Sequence, residues 1–217
     1  MVTYEDVRKN EAVKEYIRRA DQSLIALGYT EHSFAHVGRV VAGVEYILTE
    51  LGYSEHDIEL AKIAAYMHDI GNLVNRIDHS QSGAIMSFRI LDKMGMPPAD
   101  IATVVTAIGN HDEGTGIPVN PIAAALILAD KSDVRRTRVR NADFSTFDIH
   151  DRVNYSVASS ELSISDGAIL LTIEIDTKYS AVMEYFEIFL VRMNLCRRAA
   201  ERLGREFHLT VNNQRLL

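Results

Sequence analysis

The sequence predicts a mainly α protein: a helical core followed by a small C-terminal α+β lobe of antiparallel strands and one long helix. Three observations carry that expectation. Up to about residue 140, apolar residues recur every three or four positions, the spacing that lines one side of a helix. After about residue 150 the period falls to two, the alternation of a half-buried strand. No internal repeat, low-complexity tract or long linker intervenes, so the pattern divides the chain into a core domain over 1–145 and a lobe over 146–217.

Helices are expected near residues 4–27, 33–51, 55–69, 80–95, 98–111 and 119–135. Gly28, Gly52, Gly71, Gly95 followed by Pro97-Pro98, and the loop Gly114-Thr115-Gly116-Ile117-Pro118 mark the breaks. Ser54, with Asp57 three residues on, reads as an acidic N-terminal cap before Ile58. Strand-like runs cover 153–157, 161–165 and 168–175, and the pair Asp166-Gly167 joins the last two as a tight hairpin. A helix over about 179–203 carries Val182, Tyr185, Phe186, Phe189, Leu190, Met193 and Leu195, and 207–211 reads as a further strand. The strand edges need cover, either from that helix or from a second copy of the chain, so a homodimer stands beside packing within one chain.

Composition narrows the function classes. The chain has 217 residues, 47% hydrophobic and 24% charged, the make-up of one ordinary globular domain with a small appended lobe. A formal net charge of -7 repels nucleic acid and anionic membrane surfaces, which argues against both as general partners. An anionic substrate must therefore be attracted locally, by a metal or an arginine cluster. The charged start, Met1 to Lys9, lacks the apolar segment of a signal peptide, and no apolar run approaches membrane-spanning length, so a cytoplasmic protein is expected. Cys196 is the single cysteine, which excludes an internal disulfide and a cysteine-based zinc site. Metal chemistry here must use histidine and carboxylate.

Those residues fall on apolar stripes. His36 shares a helix face with Val40 and Val44; His68 follows Ala61, Ala64 and Ala65; His111 continues Ile101, Val104, Val105 and Ile108; Asp130 continues Ile122, Leu126 and Ala129. His79 opens the helix that carries Ala84, Ile85, Phe88 and Leu91, with Gly83 one turn on. A lone histidine on such a face is more often a hydrogen-bonded core residue than a ligand, and an aspartate there is often an ion-pair partner. Several imidazoles and carboxylates on inward faces need mutual coordination, because burying them unpaired is costly. His32, His56, His150 and His208 lie off the stripes, His32 being the one a single turn from His36.

The ordered set of His36, the pair His68-Asp69, His79, His111 and Asp130 resembles the HD-domain superfamily of metal-dependent phosphohydrolases. Local context agrees over roughly residues 30–135: His36-Val37-Gly38-Arg39-Val40 is similar to the first histidine motif, His68-Asp69-Ile70-Gly71 to the defining one, and Ala129-Asp130-Lys131 to the closing aspartate motif. The resemblance implies an HD-type helical core. It further implies two divalent ions, one held by His36, His68, Asp69 and Asp130 and a second by His79 and His111, with Asp69 as the catalytic bridge between them. Iron or manganese suits such nitrogen and oxygen donors, ahead of cobalt, nickel, zinc or magnesium. The implied reaction is hydrolysis of a phosphoester or phosphoanhydride of a nucleotide or other small phosphorylated substrate, by a hydroxide on the dinuclear centre.

The substrate is less sharply marked. Residues 110–118 resemble a shortened form of the segment in HD-GYP cyclic-di-GMP phosphodiesterases, but Ile117 replaces its tyrosine, Asn110 a histidine and Asn72 a lysine. The spacing of His79, His111 and Asp130 is also similar to bacterial symmetrical diadenosine tetraphosphate hydrolases, which lack an equivalent of the β-rich tail. Beyond Asp130 a basic run supplies Lys131, Arg135 and Arg138 as candidate substrate-binding residues, with Arg138 on Asp130's face if the helix continues; a solvated helix end is the alternative. Asp112 and Glu113 read as loop acids or as aids to proton transfer. Two other functions use the same ligands: the mixed-valent diiron oxygenases of the superfamily, and a non-catalytic metal-containing regulatory module.

Overall fold

The computed structural model describes residues 2–165 and 167–217. Its helices are α1 (Tyr4–Lys9), α2 (Glu11–Ala26), α3 (Phe34–Glu50), α4 (Glu55–Met67), α5 (His79–Lys93), α6 (Pro98–Gly109), α7 (Pro121–Ser132), α8 (Ile149–Ser156) and α9 (Val182–Arg202). The strands are β1 (Val157–Ser165), β2 (Ala168–Ile175), β3 (Glu206–Val211) and β4 (Gln214–Arg215). No helix among the described residues is long and apolar enough to cross a membrane.

Side-chain caps fix several helix starts. Ser33, Ser54 and Asn120 accept hydrogen bonds from backbone amides of the first turns of α3, α4 and α7. Asn10 splits the expected first helix in two: it ends α1 with extended backbone, and its side chain caps the amides of Ala12 and Val13 at the start of α2. The sequence signal was an asparagine inside an otherwise continuous helical pattern.

Helix α7 is buried on every side from Ile122 to Lys131, and α3, α4, α6 and α9 pack around it. A helix that is apolar all round has nowhere else to sit. The crossing with α3 is tight at Gly43, where an added Cβ would lie 2.8 Å from the Cβ of Ala129. That approach brings His36 and Asp130, on the two helices, to the same end of the crossing.

The C-terminal lobe departs from the expectation in three ways. Residues 153–157 begin as helix, because Asp148 caps the amide of Asp151 and starts α8; the alternation of Val153, Tyr155 and Val157 mimics a strand. The sheet, ordered β1-β2-β3-β4, is mixed: β1 pairs with β2 antiparallel from Val157↔Ile175 to Ser165↔Ala168, but β2 and β3 run parallel from Ala168↔Glu206 to Ile173↔Val211. Parallel neighbours require a crossover, and α9 is that crossover. The third departure is the short edge strand β4, antiparallel to β3. The expected Asp166-Gly167 hairpin turn lies partly outside the described residues, since Asp166 is not among them.

The apolar side of α9 is covered within the chain. Tyr185, Phe189, Met193, Leu195 and Cys196 are buried, and the helix packs against α7, while Leu190 and Val191 remain exposed.

Candidate metal centre

All six residues of the expected ligand set converge. His36 comes from α3, His68 and Asp69 from the end of α4, His79 from the first position of α5, His111 from just beyond α6, and Asp130 from the last turn of α7. Each is buried: the four histidines are at most 2% exposed, and Asp69 and Asp130 at most 9%. His36, His68 and Asp130 bring ligand atoms within 4.8 Å of one another, as do His68, Asp69 and His111.

Backbone packing makes the convergence. After His68-Asp69 the chain turns through a 3-10 segment, Ile70–Leu73, and passes so close to α5 that a Cβ on Gly71 would lie 1.9 Å from the carbonyl oxygen of His79. Gly83 receives the other side of the contact, 3.2 Å from the His68 carbonyl oxygen by the same measure. The space beside Gly83 is thus taken by the turn after His68. Asp78, immediately before His79, adopts a left-handed conformation with φ 58°, tolerable for aspartate and uncommon outside tight junctions.

Asp69 stands at the centre and divides its carboxylate. Its Oδ2 lies 3.3 Å from Nε2 of His68 and 3.9 Å from Nε2 of His36. Its Oδ1 lies 3.4 Å from Nε2 of His79 and 3.9 Å from Nε2 of His111. Asp130 Oδ1 completes the first group, 3.3 Å from His36 Nε2 and 3.9 Å from His68 Nε2.

The opposite ring nitrogens show which atoms face inward. Nδ1 of His68, His79 and His111 donates to the carbonyls of Ala65, Arg76 and Ile108 at 2.8, 3.1 and 2.6 Å, and Nδ1 of His36 to Oδ2 of Asp133 at 2.8 Å. A carbonyl can only accept, so in the neutral rings Nε2 carries the lone pair. The Nε2 atoms of His36 and His68 are buried without a hydrogen-bond partner. Those of His79 and His111 face each other at 3.2 Å. Two lone pairs so placed repel unless a cation lies among them, and fixing the ligating nitrogen by the other one is the usual arrangement behind a metal-bound histidine. The residues therefore fit divalent metal.

Protonation favours the same use. Burial opposes ionisation of Asp69 and Asp130, yet His68 next to the first and Lys131 next to the second hold both carboxyls well below the usual range. Burial pushes His111 and His79 down, the former further through His68 and His79. On His68 burial also disfavours charge, but Asp69 overrides it and raises the pKa. Neutral imidazoles beside ionised carboxylates are the forms that coordinate metal, so His79 and His111 are ready to bind, whereas a cation at the site must displace the proton that Asp69 favours on His68.

A cavity of about 440 Å³ opens over this group. His32, Asp69, Arg76, His79, His111 and Asp130 line it from the core, and Asp148, Asp151, Ile188, Phe189 and Arg192 from α8, α9 and the residue preceding α8. The C-terminal lobe is thus part of the pocket wall, a role its sequence did not disclose. His32, one turn from His36, reaches the pocket as its spacing allowed.

The three basic candidates separate. Lys131 and Arg138 line the cavity, whereas Arg135 does not; it pairs with Glu31 Oε2 at 2.6 Å and Asp133 Oδ1 at 2.9 Å. Helix α7 stops at Ser132, so Arg138 arrives on a short 3-10 turn, Arg136–Arg138, rather than on a continued helix. Its guanidinium donates to the carbonyls of Glu31 and Asp133. Neither Asp112 nor Glu113 is a freely exposed loop acid: Asp112 Oδ1 lies 3.9 Å from His79 Nε2, and Glu113 pairs with Arg192 at 2.7 Å. Asp133 as the partner of His36, Asn72 as a donor to Asp69 Oδ1 at 3.0 Å, and Arg76 and Arg192 as pocket cations were not read from the sequence.

The chain is 25% identical over 188 residues to an uncharacterised protein of Methanocaldococcus jannaschii, covering 75% of this chain and 71% of that protein. It is also similar to the 1.45 Å crystal structure of a predicted HD superfamily hydrolase from an uncultured Thermotogales bacterium, with 24% identity and a TM-score of 0.46 over 57% of this chain and 67% of the other. The sequence model of the HD domain matches residues 33–143, just over half of the chain, from the cap of α3 through α7 and past Asp130. With that match and the buried histidine and aspartate cluster inside it, the chain belongs to the HD-domain family.

Proposed function

We propose that the protein is a metal-dependent phosphohydrolase that cleaves a phosphoester or phosphoanhydride of a nucleotide or another small phosphorylated substrate. In this reading His36, His68, Asp69 and Asp130 hold one divalent ion, and Asp69, His79 and His111 a second. The observation that supports it is the divided carboxylate of Asp69, with Oδ2 toward His36 and His68 and Oδ1 toward His79 and His111. Iron or manganese held by these residues would supply a bound water of lowered pKa and positive charge toward phosphate oxygens.

The surrounding residues prepare the site. Asn72 donates to Asp69 Oδ1 and to the Asp69 carbonyl, both at 3.0 Å, which fixes the plane of the carboxylate. Asp133 accepts the Nδ1 proton of His36, and burial notwithstanding, that hydrogen bond and Arg138 hold its pKa at about 2. Lys131 Nζ donates to Asp130 Oδ2 at 2.7 Å, leaving Oδ1 toward the histidines. Ile188 and Phe189 of α9 close one wall with apolar surface, which limits water beside the reacting phosphate.

Metal analysis of protein purified without oxygen, followed by nucleotides, dinucleoside polyphosphates and simple phosphoesters under iron and manganese, tests the reading. Metal-dependent phosphate release supports it. Oxygen consumption with a phosphonate or polyol and no phosphate release would replace it by an oxygenase, and metal binding without turnover of any kind by a regulatory module.

A further inference from the structure

Four cationic side chains line the cavity among the described residues, Arg76, Lys131, Arg138 and Arg192, and three of them are already matched by acids. Lys131 Nζ lies 2.7 Å from Asp130 Oδ2 and 3.7 Å from Glu113. Arg192 pairs with Glu113 at 2.7 Å and stacks on Phe189, its guanidinium carbon 4.0 Å from the ring centroid. Arg138 is buried, spends donors on two carbonyls and lies 3.9 Å from Asp133 Oδ2.

Arg76 is different. It sits between the 3-10 turn after Asp69 and the start of α5, half-buried, with its guanidinium 5.6 Å from the Tyr29 ring centroid. Its polar contacts are long: Nη1 lies 3.4 Å from Asn72 Oδ1 and 3.3 Å from His79 Nε2. Among the described residues no carboxylate pairs with it. A guanidinium carries five N–H donors, and most of those on Arg76 are uncommitted beside the ligand cluster.

One side chain ties this cation to the centre. The amide of Asn72 donates to Asp69 Oδ1, and its carbonyl oxygen faces Arg76 Nη1, so carboxylate and guanidinium are set in register over residues 69–76. A tetrahedral phosphate suits the open donors, because its non-bridging oxygens accept the planar fork of arginine in pairs. A volume of about 440 Å³ is within the range of small-molecule pockets and leaves room for an organic group beyond the phosphate.

We propose that Arg76 is the substrate-binding cation of this site, taking non-bridging oxygens of the phosphate while Lys131, Arg138 and Arg192 hold the pocket's own carboxylates. The assignment rests on the phosphohydrolase reading of the same centre. It makes Arg76 a residue that touches substrate and the other three cations residues that shape the wall.

The test uses the full chain loaded with manganese and inorganic phosphate as the probe, measured by calorimetry and by competition with whichever phosphoester is turned over. Arg76→Ala should weaken phosphate binding at least ten-fold with metal content per chain unchanged, and Arg76→Lys should recover part of the loss. Arg89→Ala, an exposed arginine outside the cavity, should leave phosphate binding unchanged and so exclude a general effect of net charge. Phosphate binding retained in Arg76→Ala overturns the assignment alone. Loss of metal together with phosphate overturns it as well, since Arg76 would then serve His79. Metal-loaded wild-type protein that binds no phosphate overturns the phosphohydrolase reading along with it.

Discussion

Gly71→Ala puts a methyl group where the start of α5 already runs. The new Cβ would lie 1.9 Å from the carbonyl oxygen of His79, 2.5 Å from the amide nitrogen of Gly83 and 2.7 Å from Ser82 Oγ. The first two are backbone atoms and cannot rotate away, so the turn and the helix must separate by about 1.5 Å, the gap between 1.9 Å and the 3.4 Å of ordinary contact. Overpacking a tight core costs about 1–3 kcal/mol, and a clash with helical backbone belongs at the upper end, about 3 kcal/mol. For a chain of this size that lowers the melting temperature by about 6–12 °C. The same displacement moves His79 against Asp69, whereas metal sites tolerate deviations of only about 0.2 Å in ligand distance. Thermal unfolding and bound metal by mass spectrometry are the two readouts. Gly83→Ala is the comparison: its nearest neighbours would be at 3.2 and 3.3 Å, so small shifts accommodate it and the loss should be less than half as large. Gly71→Ala protein that unfolds within about 1 kcal/mol of wild type and keeps its full metal would refute the packing argument.

Other perturbations follow from the same contacts. Asp133→Asn replaces the carboxylate that accepts from His36 Nδ1–H by a weaker acceptor, so metal affinity should fall about 10–100-fold with little change in fold, as for other outer-shell partners; unchanged affinity on titration with manganese would separate Asp133 from the centre. Chelation should lower the melting temperature, because ions bound only by the folded chain at about 1,000 times their dissociation constant contribute about 4 kcal/mol; identical melting curves with and without chelator would deny that link. Burial pushes the Cys196 thiol up to about 12, so alkylation of the folded protein at pH 8 should be negligible and should become rapid in denaturant. The sign for stability follows from that raised value: the neutral thiol favours the fold below the pKa of the unfolded chain, about 8.5, and stability falls as pH rises from there toward 12. Cys196→Ala should flatten that alkaline decline; an unchanged slope would assign it to other groups.

The candidate ligands legible in the sequence are those that helical periodicity could place. His36, His68, His111 and Asp130 lie on apolar stripes, and those stripes are buried faces in the structure. The direction of His79 was not legible in the same way, because it follows a left-handed Asp78 and points inward through a turn geometry that no period encodes. Arg138 belongs to Asp130's face only on a helix that continues, but the helix stops at Ser132, and the contacts of Arg138 depend on the course of the loop beyond it. Residues 153–157 illustrate the opposite failure, where an alternating pattern was read as strand although Asp148 and Asp151 already formed a helix start. Arg76 and Arg192 stayed hidden for a different reason. Being a pocket cation depends on whether an acid has come to meet the side chain, and Glu113 meets Arg192 only after α9 folds back over the core.

In the proposed function Asp69 joins two metal positions rather than completing one. Metal counted per chain in anaerobically purified protein, with iron and manganese supplied in turn, tests it most directly when wild type is set beside His79→Ala and His111→Ala. The divided carboxylate predicts two ions in the wild type, one in each variant, and loss of phosphate release in both. One ion in the wild type, with unchanged metal and activity in both variants, would contradict it.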